Sequence, residues 1–128
     1  MTLVLDAGGV SALADDRDAL AELRRRGAWP AIVPVPVLVE VLTGDHRRDF
    51  RTNRFLRTCL VRPVDELTAR EAARLRTLTG RAGEISAVDA LVVAQAATQA
   101  APRILTSDPS DLTALAQHAA SPVAVVAV

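Results

Sequence analysis

Short apolar runs alternate with helix-patterned stretches along the whole of this 128-residue chain. No other feature constrains the fold as much. A strand buried on both faces reads as a continuous apolar run, and it needs helices to cover it. Thr2–Ala7 is the first such run, followed by Ala31–Val33, Val61–Val64, Arg103–Thr106 and Pro122–Val128. Between them lie helical patterns at Val10–Ala14, Asp16–Arg26, Pro36–Thr43, Arg47–Leu60, Glu66–Thr79, Ser86–Thr98 and Ser110–His118. Gly27, Gly44 and Gly80 stand just past three of these, where helices stop. Gly8-Gly9 read as a turn after the first strand. The expected fold is α/β, with a mostly parallel central sheet flanked by helices. The length suits one domain, residues 1–128.

Composition narrows the function classes. Half the residues are apolar, which excludes a disordered chain. Cys59 is the only cysteine, so an intrachain disulfide and a Cys-rich zinc site are both excluded. Charges balance at 15 against 15, so bulk electrostatics favour neither nucleic acid nor membrane. Every basic residue is Arg, and chemistry needing a lysine ammonium is ruled out within this chain. No stretch is apolar for long enough to span a membrane, and Asp6 arrives too early for a signal peptide. A soluble, cytoplasmic protein is expected.

Sites in open α/β sheets form beyond the carboxyl ends of the strands. Four carboxylates fall there, and each also has a structural explanation. Asp6 closes the first strand, where it suits a site or a bond to the Gly8-Gly9 turn. Glu40 interrupts Val37-Leu38-Val39-Glu40-Val41-Leu42 with no basic residue at i±3 or i±4. It is on a wet helix face or buried with a partner. Asp89 forms a capping box with Ser86, yet shares its face with Val92, Val93 and Ala96. Asp108 suits an N-cap before Pro109, with Asp111 three residues on. The coarse layout puts all four on one sheet edge. Converging carboxylates repel unless a divalent cation sits among them, and oxygen-only ligation selects Mg²⁺ or Mn²⁺.

The runs Leu3-Val4-Leu5-Asp6-Ala7, Pro36-Val37-Leu38-Val39-Glu40-Val41, Ser86-Ala87-Val88-Asp89-Ala90-Leu91-Val92 and Ile104-Leu105-Thr106-Ser107-Asp108 resemble the PIN-domain ribonucleases. Within these the chain is most similar to the VapC toxins of bacterial toxin–antitoxin pairs. Each motif is weak alone, but order, spacing and length fit across essentially the whole chain. The resemblance implies a single PIN-like domain and a metal-dependent endoribonuclease. Asp6, Glu40, Asp89 and Asp108 would hold Mg²⁺, with Mn²⁺ able to substitute. A metal-activated water would attack the RNA phosphodiester. Thr106 and Ser107 would stand behind these ligands, with Asp111 as an extra ligand or a cap. Many relatives carry Ser or Thr directly after the first acid. Here Ala7-Gly8-Gly9 follow, and Ser11 is the first hydroxyl. The resemblance also implies a homodimer, a cognate antitoxin, transfer or ribosomal RNA as substrate, and no membrane.

For RNA binding, Arg47, Arg51 and Arg54 fall at i, i+4 and i+7 on one helical stripe, flanked by Arg48 and Arg57. The stripe is a phosphate surface, a solvated face or a contact for an acidic antitoxin segment. Trp29 beside Pro30 reads as a packing residue, and His46 and His118 as surface residues. Candidate dimer surfaces are Val35–Leu42 and Val123–Val128. A phospho-receiver would need a pocket Lys. A haloacid-dehalogenase-like phosphatase would need Asp where Gly8 stands, and dinucleotide binding a fuller glycine motif. The remaining alternative is a non-cleaving PIN scaffold that binds RNA or a protein partner. Four retained acids argue against it, because binding alone gives no reason to gather like charges.

Overall fold

The computed structural model describes every residue, Met1 to Val128. Five strands, β1 (Thr2–Leu5), β2 (Ile32–Pro34), β3 (Leu60–Arg62), β4 (Pro102–Thr106) and β5 (Ala124–Ala127), form one sheet in the order β3-β2-β1-β4-β5. All its pairings are parallel, with Leu5 opposite Leu105 across β1 and β4. Leu3, Val4 and Leu5 are all buried, so both faces of the central strand are covered. Each such fully buried aliphatic side chain contributes about 1.5–3 kcal/mol. The outer strand β3 is exposed along its length, and most of β5 is too.

Seven helices flank the sheet. They are α1 (Ala7–Ala14), α2 (Arg17–Arg25), α3 (Leu38–Val41), α4 (Phe50–Leu56), α5 (Glu66–Leu78), α6 (Ala87–Ala96) and α7 (Pro109–Ala116). α2, α3 and α4 gather around α1, while α5 and α7 pack on α6. The buried side of α6 includes Val92, Val93 and Ala96. No helix is long and apolar enough to cross a membrane.

Strand order runs one way from β1 to β2 and the other way from β1 to β4. The crevice beyond the carboxyl ends of β1 and β4 is therefore the topological switch point, where open α/β sheets place their ligands. Asp6 follows β1 and Thr106 ends β4, so both stand at its mouth.

Three local expectations are corrected. Gly8-Gly9 are not a turn: α1 begins at Ala7, with Asp6 as N-cap. A Cβ on Gly8 would lie 2.2 Å from Ser107 Oγ, and one on Gly9 would lie 2.3 Å from the Leu105 carbonyl oxygen. The glycines let the first turn of α1 lie against the end of β4. The expected Pro36–Thr43 helix is a 3-10 turn at Val35–Val37 followed by the single turn α3, with Gly44 left-handed at φ +87° beyond. The Arg47–Leu60 helix is shorter, spanning Phe50–Leu56, and side-chain bonds to the backbone tie the segment before it into turns. Asp49, buried, accepts from Thr43 N–H at 2.9 Å and Gly44 N–H at 2.9 Å. Asp45 accepts from Arg47 N–H at 2.9 Å. These bonds fold residues 43–49 into turns and delay α4 to Phe50. Leu60 then belongs to β3, which ends at Arg62 instead of Val64. The remaining helices keep their expected type with ends shifted by a few residues.

Candidate active site

Asp6 is buried and anchored twice. Its Oδ1 accepts from Gly9 N–H at 2.7 Å, and its Oδ2 from Thr106 Oγ1 at 2.6 Å. The Thr106 hydroxyl also accepts from Asp108 N–H at 3.1 Å. One side chain thus ties the first acid to the loop carrying another. Burial pushes the Asp6 carboxyl upward against the lowering effect of the Thr106 and Gly9 bonds, and the Asp108 charge adds to the rise.

Asp89 lies in the first turn of α6, half-buried. Its N–H donates to Ser86 Oγ at 3.1 Å. Only half of the expected capping box forms, since the Asp89 carboxylate makes no return bond to Ser86. That carboxylate is free to face the crevice. It is pushed up to about 6, first by burial, then by the charges of Asp6, Glu40, Asp111 and Asp108. Asp89 is therefore the point on which the other acids converge electrostatically.

Glu40 is exposed on α3 and has no ion pair. Asp108, also exposed, caps α7 through Ser110 N–H at 3.4 Å. Asp111, half-buried in the first turn of α7, is bonded to Arg81 at 3.1 Å. Ser107 is exposed beside Gly8, and Ser11 is exposed on α1. No three acidic side chains stand close enough to grip one ion together as they are. The donor chemistry still fits a hard cation, being all oxygen with an excess of negative charge.

The arginine stripe is not one helix face. Arg51 and Arg54 lie on α4, but Arg47 sits in the turns before it. Arg51 is bonded at 2.7 Å to Asp15, the C-cap of α1. Eight residues of α1, about 12 Å of helix, separate that end from Asp6. A groove of about 730 Å³ opens there between α1, α2 and α4. Its apolar lining includes Leu13, Leu20 and Phe55, and its cationic lining Arg17, Arg24 and Arg54. Trp29 is a packing residue as expected, with Nε1–H donating to the Thr58 carbonyl at 2.9 Å and its ring 5.8 Å from that of Phe55. Sequence reasoning passed over Arg81, the cation at the acidic mouth. Its only sequence signal was a lone Arg between Gly80 and Gly83 in the loop before α6.

Residues 3–117 match the family model described as the PIN domain. Among solved structures, the chain is similar to one in the DNA-bound VapBC of Salmonella typhimurium, at a TM-score of 0.75 and 12% identity, covering 99% of this chain and 98% of that one. It is similar to one in VapBC2 of Rickettsia felis bound to a promoter DNA fragment, at a TM-score of 0.76 and 13% identity, covering 100% and 99%. It is also similar to one in FitAcB of Neisseria gonorrhoeae, at a TM-score of 0.63 and 20% identity, covering 97% and 96%. No curated protein matches the sequence. At these identities the structural likeness speaks for the fold.

Proposed function

Because this chain belongs to the PIN-domain family, we propose that it is a divalent-metal-dependent endoribonuclease, the toxin of a toxin–antitoxin pair. The observation that carries this reading is Asp6, buried at the switch point and fixed by Gly9 N–H and Thr106 Oγ1, with the charges of Glu40, Asp108 and Asp111 acting beside it on Asp89. Only one of these acids, Asp111, has an arginine partner. A fold has no structural reason to keep that repulsion unless a cation relieves it.

In this reading Asp6, Glu40, Asp89 and Asp108 hold Mg²⁺ or Mn²⁺. When bound, the cation supplies Lewis acidity, lowering the pKa of water and offsetting charge on the phosphodiester. Asp6 supplies a fixed carboxylate, since Gly9 and Thr106 set its orientation. Thr106 acts as a positioning residue for both Asp6 and Asp108. Glu40 and Asp108, being exposed, are free to turn inward. Asp89 must lose its proton to serve, so metal binding and cleavage rise with pH through about 6. The substrate is RNA, and the protein works as a homodimer with Val39 and Val35 among the exposed apolar residues available for contact.

The VapBC and FitAcB similarities support a cognate antitoxin as partner. We assign its docking to the groove between α1, α2 and α4, whose apolar lining and arginines suit an amphipathic acidic segment. Arg51 and Arg54 then serve the partner, with Arg47 left as an RNA contact.

The test is cleavage of total bacterial RNA by purified protein in Mn²⁺ or Mg²⁺, with the new ends sequenced. Discrete cuts that disappear with chelator and in Asp6→Asn are expected. Tight RNA binding without cuts would instead favour a non-cleaving scaffold.

A further inference from the structure

A nuclease pocket built of carboxylates faces an electrostatic problem, because its substrate is also an anion. Ions held by the acids offset part of this repulsion, and a nearby cation is needed to draw in the phosphodiester itself. Of the ion pairs in this protein, only Arg81–Asp111 involves an acid of the candidate site. We propose that Arg81 is the substrate anchor of the pocket, binding a non-bridging phosphate oxygen of the RNA. This deepens the ribonuclease reading and rests on it.

The geometry suits that role. The loop between α5 and α6 is tied by hydrogen bonds at both ends. Arg76 Nε donates to the Ile85 carbonyl at 2.7 Å, and the Ile85 side chain is fully buried. The Arg81 N–H donates to Thr79 Oγ1 at 3.1 Å, while its carbonyl accepts from Glu84 and Ile85 N–H, each at 2.9 Å. The guanidinium is also fixed: Nε bonds Glu84 at 3.0 Å and Nη2 bonds Asp111 at 3.1 Å. Two of the five N–H donors that a guanidinium carries are thereby engaged, and the side chain remains 43% exposed. The remaining donors are available to a phosphate oxygen without displacing either carboxylate. Its ordering entropy is met before substrate arrives, which favours tight phosphate binding. Asp111 contributes by holding Arg81 while adding to the field on Asp89.

A purely structural tie between the loop and α7 is the competing explanation. The experiment measures binding of fluorescein-labelled bulk bacterial transfer RNA by anisotropy across a salt series, with Ca²⁺ in place of Mg²⁺. Arg81→Gln should weaken binding about tenfold and lower the salt slope by about one, as expected for one lost phosphate contact. Arg81→Lys should recover part of the affinity. Arg70→Gln removes an equal charge from an exposed i,i+4 pair on α5 and should bind as wild type. Equal binding by Arg81→Gln, equal weakening by Arg70→Gln, or no binding by the wild type would each overturn the proposal. Cleavage judges the parent reading separately. RNA binding that depends on Arg81 but is never followed by cuts would sink the nuclease and leave the anchor standing.

Discussion

Thr106 and Asp6, 100 positions apart in sequence, are joined by a 2.6 Å hydrogen bond between their side chains at the switch point of the sheet. The parallel pairing of β1 with β4 brings them together, and Gly8 and Gly9 let α1 start close beside them. The bond converts a matter of topology into the fixed orientation of one carboxylate.

Thr106→Val keeps the branched shape and removes the hydroxyl. It leaves Asp6 Oδ2 without its donor and Asp108 N–H without its acceptor. Leaving such groups unsatisfied costs about 1–3 kcal/mol each, with solvent access at Asp108 reducing its share. Urea unfolding at pH 7 should report a loss in this range, and the Asp6 carboxyl should rise further, which a carboxyl NMR titration reads. An unchanged midpoint would mean that water replaces the hydroxyl at no cost.

Asp89 sets a pH window. Its folded pKa of about 6 lies above the ordinary 3.8, so the folded protein holds a proton that the unfolded chain has released. The stability this provides is full below about 3.8 and is lost as pH rises through about 6. Asp6, also raised, acts in the same direction. Asp49, Asp65 and Glu71 are lowered by hydrogen bonds to Thr43 N–H, Thr68 N–H and the Arg74 side chain respectively, so their contributions fade only in stronger acid. In chelator, the thermal midpoint should fall between pH 4 and 6.5, and Mn²⁺ should restore it at the upper end. Asp89→Asn should flatten the fall and be more stable than wild type at pH 7 without metal, by about 2–5 °C. A variant less stable than wild type there would show that Asp89 is not repelled by its neighbours.

The two glycines after Asp6 separate by what a Cβ would strike. On Gly9 the obstacle is the backbone carbonyl of Leu105 at 2.3 Å, which cannot turn away. On Gly8 the nearest atom is the Ser107 hydroxyl at 2.2 Å, which can rotate, although Ser107 N follows at 2.9 Å. Gly9→Ala should therefore cost at least about 3 kcal/mol, or prevent folding, and Gly8→Ala less. Ser107→Ala should recover part of the Gly8→Ala loss and none of the Gly9→Ala loss in urea unfolding. Equal losses at the two positions would contradict the close approach of α1 to β4.

The parts of this protein legible in its sequence were those fixed by local pattern. Apolar runs located every strand to within a few residues, most simply for the buried β1, β2 and β4, where a strand covered on both faces has no polar alternation to confuse. The acids at strand ends were also legible, since the rule for open sheets selects position before chemistry. What failed depended on contacts distant in sequence or on competition for backbone groups. Gly8-Gly9 look like a turn until β4 is placed against them. The helical stripe of Arg47, Arg51 and Arg54 breaks because Arg47 lies in the turns that Asp45 and Asp49 tie together before α4. Arg81 could be paired by local spacing only with Glu84, because its partner at the site, Asp111, lies 30 positions away.

On the proposed reading, the groove between α1, α2 and α4 should separate partner binding from cleavage. Its arginines stand at the far end of α1 from Asp6, about 12 Å along the helix. Arg24 and Arg54 are exposed and belong to no ion pair, so reversing their charge leaves no broken internal bond. In the double variant Arg24→Glu/Arg54→Glu, affinity for the cognate antitoxin should fall at least about tenfold by calorimetry, with much of the loss removed at high salt. RNA cleavage in Mn²⁺ should stay within about twofold of wild type, because neither residue reaches the acids. Unchanged antitoxin affinity would move the partner to another face, and a parallel loss of cleavage would return these arginines to the RNA path.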